Sequence, residues 1–272
     1  MNYFAFTFEN ITIEQSEQLV ALLSEQNFDG FEENELQLKA FIIGDLFDQS
    51  FLDATLQGYP EVIYNKRVIE NINWNQQWES SFEPVLVDDF VAVRAGFHLP
   101  ILTVQHEIII TPKMSFGTGH HNTTFLMMQQ MKALDFKGKE VFDFGTGTAI
   151  LAILAEKLGA KKVFAIDNDE WSINNSIENI EQNNCKTITV QEHSTIPDLY
   201  KYDIILANIN LNVITANINA LKEVAKLGCT LLLSGFLKEN ESTLKATVEL
   251  AGFQYGHTVQ KGQWIAMLIF NK

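Results

Sequence analysis

The sequence predicts an α/β protein with two domains, a small α+β domain followed by a larger domain built on a doubly wound sheet. Three observations carry this prediction. Residues 1–65 have the order strand, helix, strand, strand, helix, strand. From residue 140 onward, short apolar strands alternate with helical stretches, which is typical of a parallel sheet covered by helices on both faces. The last two strands follow each other across a tight turn, so they are expected to pair antiparallel.

Composition and charge exclude several classes of protein. The chain has 272 residues, of which 46% are hydrophobic and 19% are charged, so it is neither disordered nor of low complexity. Its 34 acidic and 19 basic side chains give a net charge of −15. Because such an acidic surface repels a phosphate backbone, we expect no direct nucleic-acid binding. A small cationic ligand or a basic protein suits this charge better.

The number of cysteines and the length of the apolar segments indicate the cellular compartment of the protein. Cys185 and Cys229 are too few and too far apart for a disulfide framework or a zinc site, so we expect a reducing compartment and no metal. The N-terminus lacks the cationic and apolar segments of a secretion signal. No stretch approaches the roughly 18 to 20 apolar residues of a membrane span. We expect a cytoplasmic protein that does not enter a membrane.

The small domain is predicted from its hydrophobic periodicity and its turn residues. Apolar residues at helical spacing indicate two helices, and alternating residues indicate four strands. This order is the split βαβ, or ferredoxin-like, arrangement. The domain has no nucleophile, metal cluster or glycine-rich turn, so it is expected to position a partner. The predicted elements are a strand at 3–8, a helix at 13–25, a hairpin of 28–33 and 36–43, a helix at 45–56 and a strand at 61–64.

A polar segment with Trp74, Trp78 and Phe82 separates the small domain from the rest of the chain. Aromatic residues in an Asn- and Gln-rich stretch suit a connecting helix that one domain holds in place. The predicted organisation is therefore a small partner-positioning domain at 1–65, a linker at 66–84 and a larger domain at 85–272. The predicted strands of the last part lie at 85–93, 107–111, 141–144, 163–167, 188–190, 204–208, 230–234, 253–258 and 264–270.

A glycine-rich turn follows the strand at 141–144. Asp143 lies within this strand, Gly145 and Gly147 follow the strand, and a helix comes next. Glycines let the backbone turn tightly against a ligand, and the helix N-terminus presents free N–H groups to it. Asp167 ends the next strand 20 residues after Gly147, where a carboxylate accepts hydrogen bonds from the two ribose hydroxyls of a bound nucleoside. The pattern predicts a nucleoside-containing cofactor.

The nature of the cofactor is indicated by the residues around the turn. A dinucleotide site requires a third Gly or Ala five residues after the first, and this position is Ile150. The carboxylate of Asp143 repels a diphosphate and attracts a cation. The turn resembles motif I of class I S-adenosylmethionine methyltransferases, which have a Rossmann-like sheet with an antiparallel last strand. This resemblance implies that Asp143 lies near the amino-acid end of S-adenosylmethionine and that Asp167 holds its ribose.

A second loop, at residues 111–124, carries two glycines, two histidines and a pair of threonines before a helix. Thr123 or Thr124 is expected to cap that helix. The loop resembles the FGTG-T-HPTT segment of the ribosomal protein L11 methyltransferase family. Its departures from the family pattern are His120, Asn122 and the Thr-Pro-Lys at 111–113, where Asp-Pro-Gly is usual. The resemblance extends over most of the chain and includes Asn208-Ile-Asn, Ser234-Gly-Phe and Gln263-Trp-Ile-Ala.

The resemblance implies a function and a set of site residues. The expected activity is methyl transfer to lysine side-chain or N-terminal amines of large-subunit ribosomal protein L11, which the small domain binds. Asn208 is expected to orient the acceptor amine or the methionine end of the cofactor, and His121 is a candidate proton acceptor. Asparagines on the helix after Asp167 are expected to be solvated. The expected cofactor-binding residues are Phe116, Gly117, Thr118, Thr123, Thr124, Asp143, Gly145, Gly147, Asp167 and Asn208.

Three alternatives stay open at this stage. In the first, the chain is a class I methyltransferase that acts on another protein or on an RNA. In the second, it is an NAD-dependent oxidoreductase, a class of enzyme that shares the strand–turn–helix geometry. In the third, it is a catalytically silent adaptor that binds the cofactor without using it. We expect a monomer.

Overall fold

The structure is a computed structural model, and it describes residues 3–34, 37–69, 83–112, 120–197 and 200–272. The chain divides into two compact units, Met1–Ser81 and Phe82–Lys272. In the part of the chain that the structure describes, no helix is both long and apolar enough to cross a membrane. Each unit has its own hydrophobic core.

The first unit has the predicted strand and helix order. Its four strands form one sheet in the order β2-β3-β1-β4, with every neighbouring pair antiparallel. This confirms the ferredoxin-like arrangement. Its elements are β1 (Tyr3–Glu9), α1 (Ile13–Ser24), β2 (Phe28–Asn34), β3 (Gln37–Ile43), α2 (Gln49–Leu56) and β4 (Ile63–Ile69).

Two boundaries in this unit differ from the prediction. The helix expected at 45–56 begins at Gln49, because the carboxylate of Asp48 accepts from the N–H groups of Ser50 and Phe51 and so caps the helix there. Residues Gly44–Leu46 form a separate 3-10 turn. The last strand continues to Ile69, since residues 63–69 pair with all of β1. The first unit therefore extends past residue 65.

The second unit contains ten strands and five helices among its described residues. They are β5 (Val85–Val87), β6 (Val91–Ala95), β7 (His106–Ile110), α3 (Asn122–Met131), β8 (Glu140–Phe144), α4 (Ile150–Lys157), β9 (Lys162–Asp167), α5 (Glu170–Gln182), β10 (Ile188–Glu192), β11 (Tyr202–Asn208), α6 (Leu211–Val224), β12 (Ala225–Leu237), α7 (Glu241–Leu250), β13 (Gln254–Lys261) and β14 (Trp264–Phe270).

Seven of these strands form a sheet in the order β10-β9-β8-β11-β12-β14-β13. The pairs from β10 to β12 are parallel, and β14 runs antiparallel to both β12 and β13. This confirms the doubly wound sheet with an antiparallel last strand. The order of connection reverses between β8 and β11, and in such sheets ligands bind at the carboxyl ends of the strands beside that point.

The sheet has a separate apolar core on each face, because its side chains alternate. On β8, Val141 packs into one core with α3 and α4, and Phe142 packs into the other core with α6 and α7. The first core also contains the apolar side chains of a three-stranded sheet in the order β5-β6-β7. A single strand was expected at 85–93, but the backbone turns at Asp88, where φ is 51°, and forms the hairpin β5–β6.

Candidate functional site

The predicted site residues of the second unit lie at the carboxyl edge of the seven-stranded sheet. Asp143 is near the end of β8, Asp167 ends β9 and Asn208 ends β11, and these three strands are neighbours. The topology therefore brings together residues that are up to 65 positions apart in the sequence. Phe116, Gly117 and Thr118 lie outside the described residues, so their assignment to the cofactor stays a prediction.

The glycine-rich turn between β8 and α4 requires left-handed backbone at two glycines. The φ angle is 76° at Gly145 and 54° at Gly147, a region that residues with a Cβ rarely adopt. The N–H groups of Gly145 and Thr146 both donate to the carbonyl of Ile166, at 2.9 Å each, which holds the turn against the end of β9. Helix α4 follows directly, so its free N–H groups face the carboxyl edge of the sheet.

Asp143 is buried below this turn, with 1% of its surface exposed. Its Oδ2 accepts a hydrogen bond of 2.7 Å from the hydroxyl of Thr146. Its other oxygen, Oδ1, is buried with no hydrogen-bond partner among the described residues. Burial, together with the negative charge of Asp167, raises the pKa of Asp143 to about 7, although the Thr146 hydrogen bond opposes this shift. The buried oxygen is thus an acceptor that lacks a donor.

Asp167 binds the turn from the next strand. Its Oδ2 accepts from the N–H of Gly147 at 2.9 Å, and its Oδ1 accepts from the N–H of Asp169 at 3.2 Å. Each carboxylate oxygen has a second lone pair, and the side chain is partly exposed. Asp167 therefore fixes the glycine turn and still has the capacity to accept from a ligand hydroxyl.

Asn208 contacts the helix that follows the second loop. Its Nδ2 donates to the hydroxyl of Thr124 at 3.2 Å, which joins the end of β11 to the first turn of α3. Thr124 is 2% exposed and Thr123 is 3% exposed. Both residues predicted from the loop motif therefore lie at the same sheet edge as the two aspartates, and one of them binds Asn208 directly.

The backbone after Asn208 is held in a narrow space between two glycines. A Cβ at Gly235 would lie 2.6 Å from the carbonyl carbon of Ile209, and a Cβ at Gly145 would lie 2.9 Å from its Cδ1. The N–H of Ile209 also donates to the carbonyl of Ser234 at 3.0 Å. The Ser234-Gly-Phe segment that the sequence analysis singled out therefore fixes the position of Asn208.

His121 is the N-cap residue of α3, so the expectation that Thr123 or Thr124 caps this helix is wrong. The Nδ1 atom of His121 accepts from the N–H of Thr123 at 3.3 Å and lies 2.7 Å from its hydroxyl oxygen. The His121 ring also packs edge-on against Trp264, with 4.5 Å between the ring centroids. The Nδ1 lone pair is therefore engaged by the hydrogen bond that caps the helix. The geometry favours a capping role over a basic one.

The expectation of solvated asparagines on α5 is wrong for Asn175 and Asn179, which are 1% and 0% exposed. Asn183 is partly buried, and its side chain bonds to both the N–H and the carbonyl of Ile109 in β7. The sequence contains a signal for this burial. Small polar residues recur at helical spacing along one face of α5, at positions 172, 175, 176 and 179, where an ordinary buried face has apolar residues.

The chemistry of the site fits S-adenosylmethionine better than a dinucleotide. The cofactor is cationic at its sulfonium and at its ammonium group, and the edge presents two carboxylates, one of them with an unpartnered buried oxygen. Ile150, where a dinucleotide site needs a small residue, is 2% exposed and packs in the core below the turn. Asp143, the glycine turn and Asp167 are the described residues that would hold the cofactor.

Comparison with known proteins agrees with this geometry. Residues 5–272 match the family model described as "Ribosomal protein L11 methyltransferase (PrmA)". The chain is 39% identical to a ribosomal protein L11 methyltransferase of Porphyromonas gingivalis, over 98% of this chain and 97% of that protein. It is 35% identical to one from Bacteroides fragilis, over 98% and 99% of the two chains. A crystal structure of a ribosomal protein L11 methylase from Lactobacillus delbrueckii subsp. bulgaricus is 29% identical, with a TM-score of 0.65 over 70% of this chain and 100% of that one.

Proposed function

The chain belongs to the ribosomal protein L11 methyltransferase family, and from that premise we propose that it transfers methyl groups from S-adenosylmethionine to amine nitrogens of ribosomal protein L11. The observation that carries this proposal is the arrangement of Asp143, Asp167 and Asn208 at the ends of neighbouring strands. The two carboxylates suit a cationic nucleoside, and the amide suits an acceptor nitrogen.

When bound, S-adenosylmethionine supplies a methyl group that its positive sulfur activates toward a nucleophile. The residues of the chain contribute position, which provides most of the acceleration in an in-line transfer. Asp167 binds the ribose hydroxyls, and the turn from Gly145 to Gly147 lets the backbone approach the cofactor closely. Asp143 holds this turn through Thr146 and presents its second oxygen at the same place.

Asn208 orients the acceptor amine. Thr124 fixes its Nδ2, and the amide oxygen then accepts a hydrogen bond from an amine N–H without adding a full negative charge. The amine must be neutral to attack, and the reference pKa of lysine near 10.4 means that few lysine side chains are neutral at pH 7. Exclusion of water around the amine lowers this pKa because it disfavours the charged form. We assign His121 to capping of α3 and not to proton transfer.

The first unit binds the protein substrate, and its charge supports this assignment. Residues 1–81 contain 14 Asp and Glu side chains and three Lys and Arg side chains. Most of the net charge of −15 thus lies in less than a third of the chain. Such a unit attracts a basic protein surface and repels RNA, so we assign it to a protein substrate and not to nucleic acid. We expect the enzyme to act as a monomer in the cytoplasm.

The test is transfer of labelled methyl groups from S-adenosylmethionine to purified ribosomal protein L11, with the modified atoms located by mass spectrometry. Label at lysine Nζ atoms or at the N-terminal nitrogen supports the proposal and identifies the acceptor amines. An unlabelled L11, together with label on another protein or on ribosomal RNA in a ribosome extract, would refute the proposed substrate.

The role of Asn208 is tested with a matched pair of variants. Asn208→Ala should lower kcat by about tenfold or more, because a lost hydrogen bond of this type costs roughly 1 to 3 kcal/mol in the transition state. Asn212→Ala changes an exposed asparagine on α6 and should leave kcat unchanged. A loss of S-adenosylmethionine affinity as large as the loss of kcat would instead place Asn208 on the cofactor.

A further inference from the structure

Asn179 makes two hydrogen bonds that connect separate parts of the second unit. This residue of α5 has 0% exposure. Its Nδ2 donates to the carbonyl of Thr148 at 3.0 Å, and its Oδ1 accepts from the N–H of Thr111 at 2.7 Å. Thr148 lies in the glycine-rich turn, next to Gly147, and Thr111 directly follows β7. One buried amide therefore joins the turn to the strand that leads toward the second loop motif.

We propose that Asn179 is a positioning residue for methyl transfer, which sets the glycine-rich turn in its cofactor-binding conformation by holding it to Thr111. This inference rests on the proposed function only in that the turn binds S-adenosylmethionine. It assigns a role to a side chain in the last turn of α5, away from the recognised motifs. Asn179 acts through the turn and has no assigned contact with the cofactor or the substrate.

The helix that carries Asn179 also carries the support of the ribose-binding residue. Asp169 is the N-cap of α5, its own N–H donates to Asp167, and Asp167 accepts from Gly147. The turn is therefore attached to the start of α5 through Gly147 and to its last turn through Thr148. Two attachments to one rigid helix fix both the position and the direction of the turn. Loss of the Asn179 amide removes the second of these attachments.

An amide is required at this position. Thr148 offers a carbonyl, which needs a donor, and Thr111 offers an N–H, which needs an acceptor. Asn supplies one of each within a short side chain, whereas an ionised carboxylate only accepts and an alkyl group does neither. A carboxylate here would face the Thr148 carbonyl with a repelling oxygen. A protonated carboxyl group would restore both hydrogen bonds, because its O–H donates and its other oxygen accepts.

Asn183, the C-cap residue of the same helix, provides a matched control. It lies one turn after Asn179, and its side chain bonds to the backbone of β7 itself. Its Oδ1 accepts from the N–H of Ile109 at 3.0 Å, and its Nδ2 donates to the carbonyl of Ile109 at 2.6 Å. Asn183 holds the same strand but has no hydrogen bond to the glycine-rich turn among the described residues. The two asparagines therefore separate support of β7 from positioning of the turn.

The experiment uses the full chain and three variants, Asn179→Asp, Asn179→Ala and Asn183→Asp. Affinity for S-adenosylmethionine is measured by calorimetry from pH 5 to pH 8, and thermal unfolding is followed in the same buffers. At pH 8, both Asn179 variants should bind the cofactor roughly tenfold or more weakly than the wild type. Affinity of Asn179→Asp should recover toward wild type as the pH falls. Asn183→Asp should lower the unfolding temperature and leave affinity within roughly twofold.

The alanine variant corrects for the other titrating groups near the turn. Asp143, Asp167 and Glu178 are present in all the proteins, and Glu178 accepts from the Thr111 hydroxyl at 2.8 Å. The difference between Asn179→Asp and Asn179→Ala across the pH range therefore reports the introduced carboxyl group. If Asn179→Asp unfolds at pH 8, Asn179→Ser, whose short side chain cannot reach both partners, should show the same loss of affinity.

Equal effects of Asn179→Asp and Asn183→Asp on affinity would overturn the inference, as would wild-type affinity in both Asn179 variants or an absence of recovery at low pH. These measurements require no protein substrate. A protein that binds S-adenosylmethionine but does not methylate L11 would refute the proposed function and leave this inference standing. Loss of cofactor binding in the wild type would refute both.

Discussion

Gly235 offers the sharpest test of how the fold positions Asn208. It lies at an irregularity in the pairing of β12 with β14, with φ at 104°. A Cβ there would lie 2.6 Å from the carbonyl carbon of Ile209 and 2.9 Å from its nitrogen. The carbonyl oxygen of Ile209 lies closer still. Since ordinary contacts between such atoms begin at about 3.4 Å, Gly235→Ala must move this segment by at least about 0.8 Å.

The displacement acts directly on Asn208, which precedes Ile209 in the chain. The hydrogen bond from Asn208 to Thr124 is already 3.2 Å long, at the upper end of the usual range, so a shift of this size breaks it. A misplacement of about 1 Å costs up to roughly 100-fold in rate. We expect Gly235→Ala to lower kcat by about 10- to 100-fold, with a change of less than about threefold in the affinity for S-adenosylmethionine.

The assay is steady-state methyl transfer to L11, together with calorimetry of the cofactor. Gly228→Ala is the matched control, because Gly228 is also in β12 with φ at 80°, but a Cβ there has no atom within 4 Å. In both variants an alanine in left-handed backbone lowers the free energy of unfolding by about 1 to 2 kcal/mol. Only Gly235→Ala also places a Cβ against the backbone of Ile209. A kcat for Gly235→Ala within twofold of wild type, or an equal loss in Gly228→Ala, would refute the reasoning.

Three further predictions follow from the same site. Asp167→Ala removes a carboxylate whose hydrogen bonds are each worth roughly 1.5 to 3 kcal/mol, so calorimetry should show cofactor binding about 10- to 150-fold weaker, and unchanged affinity would remove Asp167 from the ribose. The raised pKa of Asp143, about 7, means that the folded state holds a proton that the unfolded state releases near pH 4. The stability that the protonated Asp143 contributes is present below about pH 4 and is lost as the pH rises to about 7. The unfolding temperature of Asp143→Asn should therefore rise relative to that of the wild type between pH 5 and pH 8, and a difference that stays constant over this range would contradict the argument. His121→Ala should lower stability by about 1 kcal/mol, measured by denaturant unfolding, and leave kcat within about threefold, whereas a large loss of kcat at unchanged stability would indicate proton transfer.

The sequence predicted the architecture well because the signals for it are local. Alternating and helical periodicities gave the order of elements in both units, and the tight turn at 260–262 gave the antiparallel last pair. The glycine-rich turn was recognisable because Gly145 and Gly147 adopt left-handed backbone that few other residues tolerate. The prediction was wrong at boundaries that a single side chain determines. Asp48 caps α2, so the helix begins four residues later than expected.

Contacts between distant segments were harder to predict. Thr111 and Asn179 are 68 positions apart, and the helical pattern of α5 gives no indication of which strand its polar face meets. The capping of α3 by His121 in place of a threonine also depends on the surroundings, because the ring packs on Trp264 from the far end of the chain. The role of Gly235 became clear only when its distance to Ile209 was known.

The sequence by itself determined the two-unit organisation, the class of cofactor and the identity of the aspartates and the asparagine at the sheet edge. Spacing along the chain gives the organisation, a nucleoside-containing cofactor and the two aspartates, since a strand, a turn and a helix are fixed by interactions between near neighbours. S-adenosylmethionine and Asn208 were identified by the resemblance to the motifs of a known family. Only the tertiary structure decided that Asp143 is buried with an unpartnered oxygen, that Thr124 binds Asn208 and that Asn179 holds the turn. Burial and hydrogen-bond pairing depend on which segments the sheet brings together, and that is a property of the whole fold.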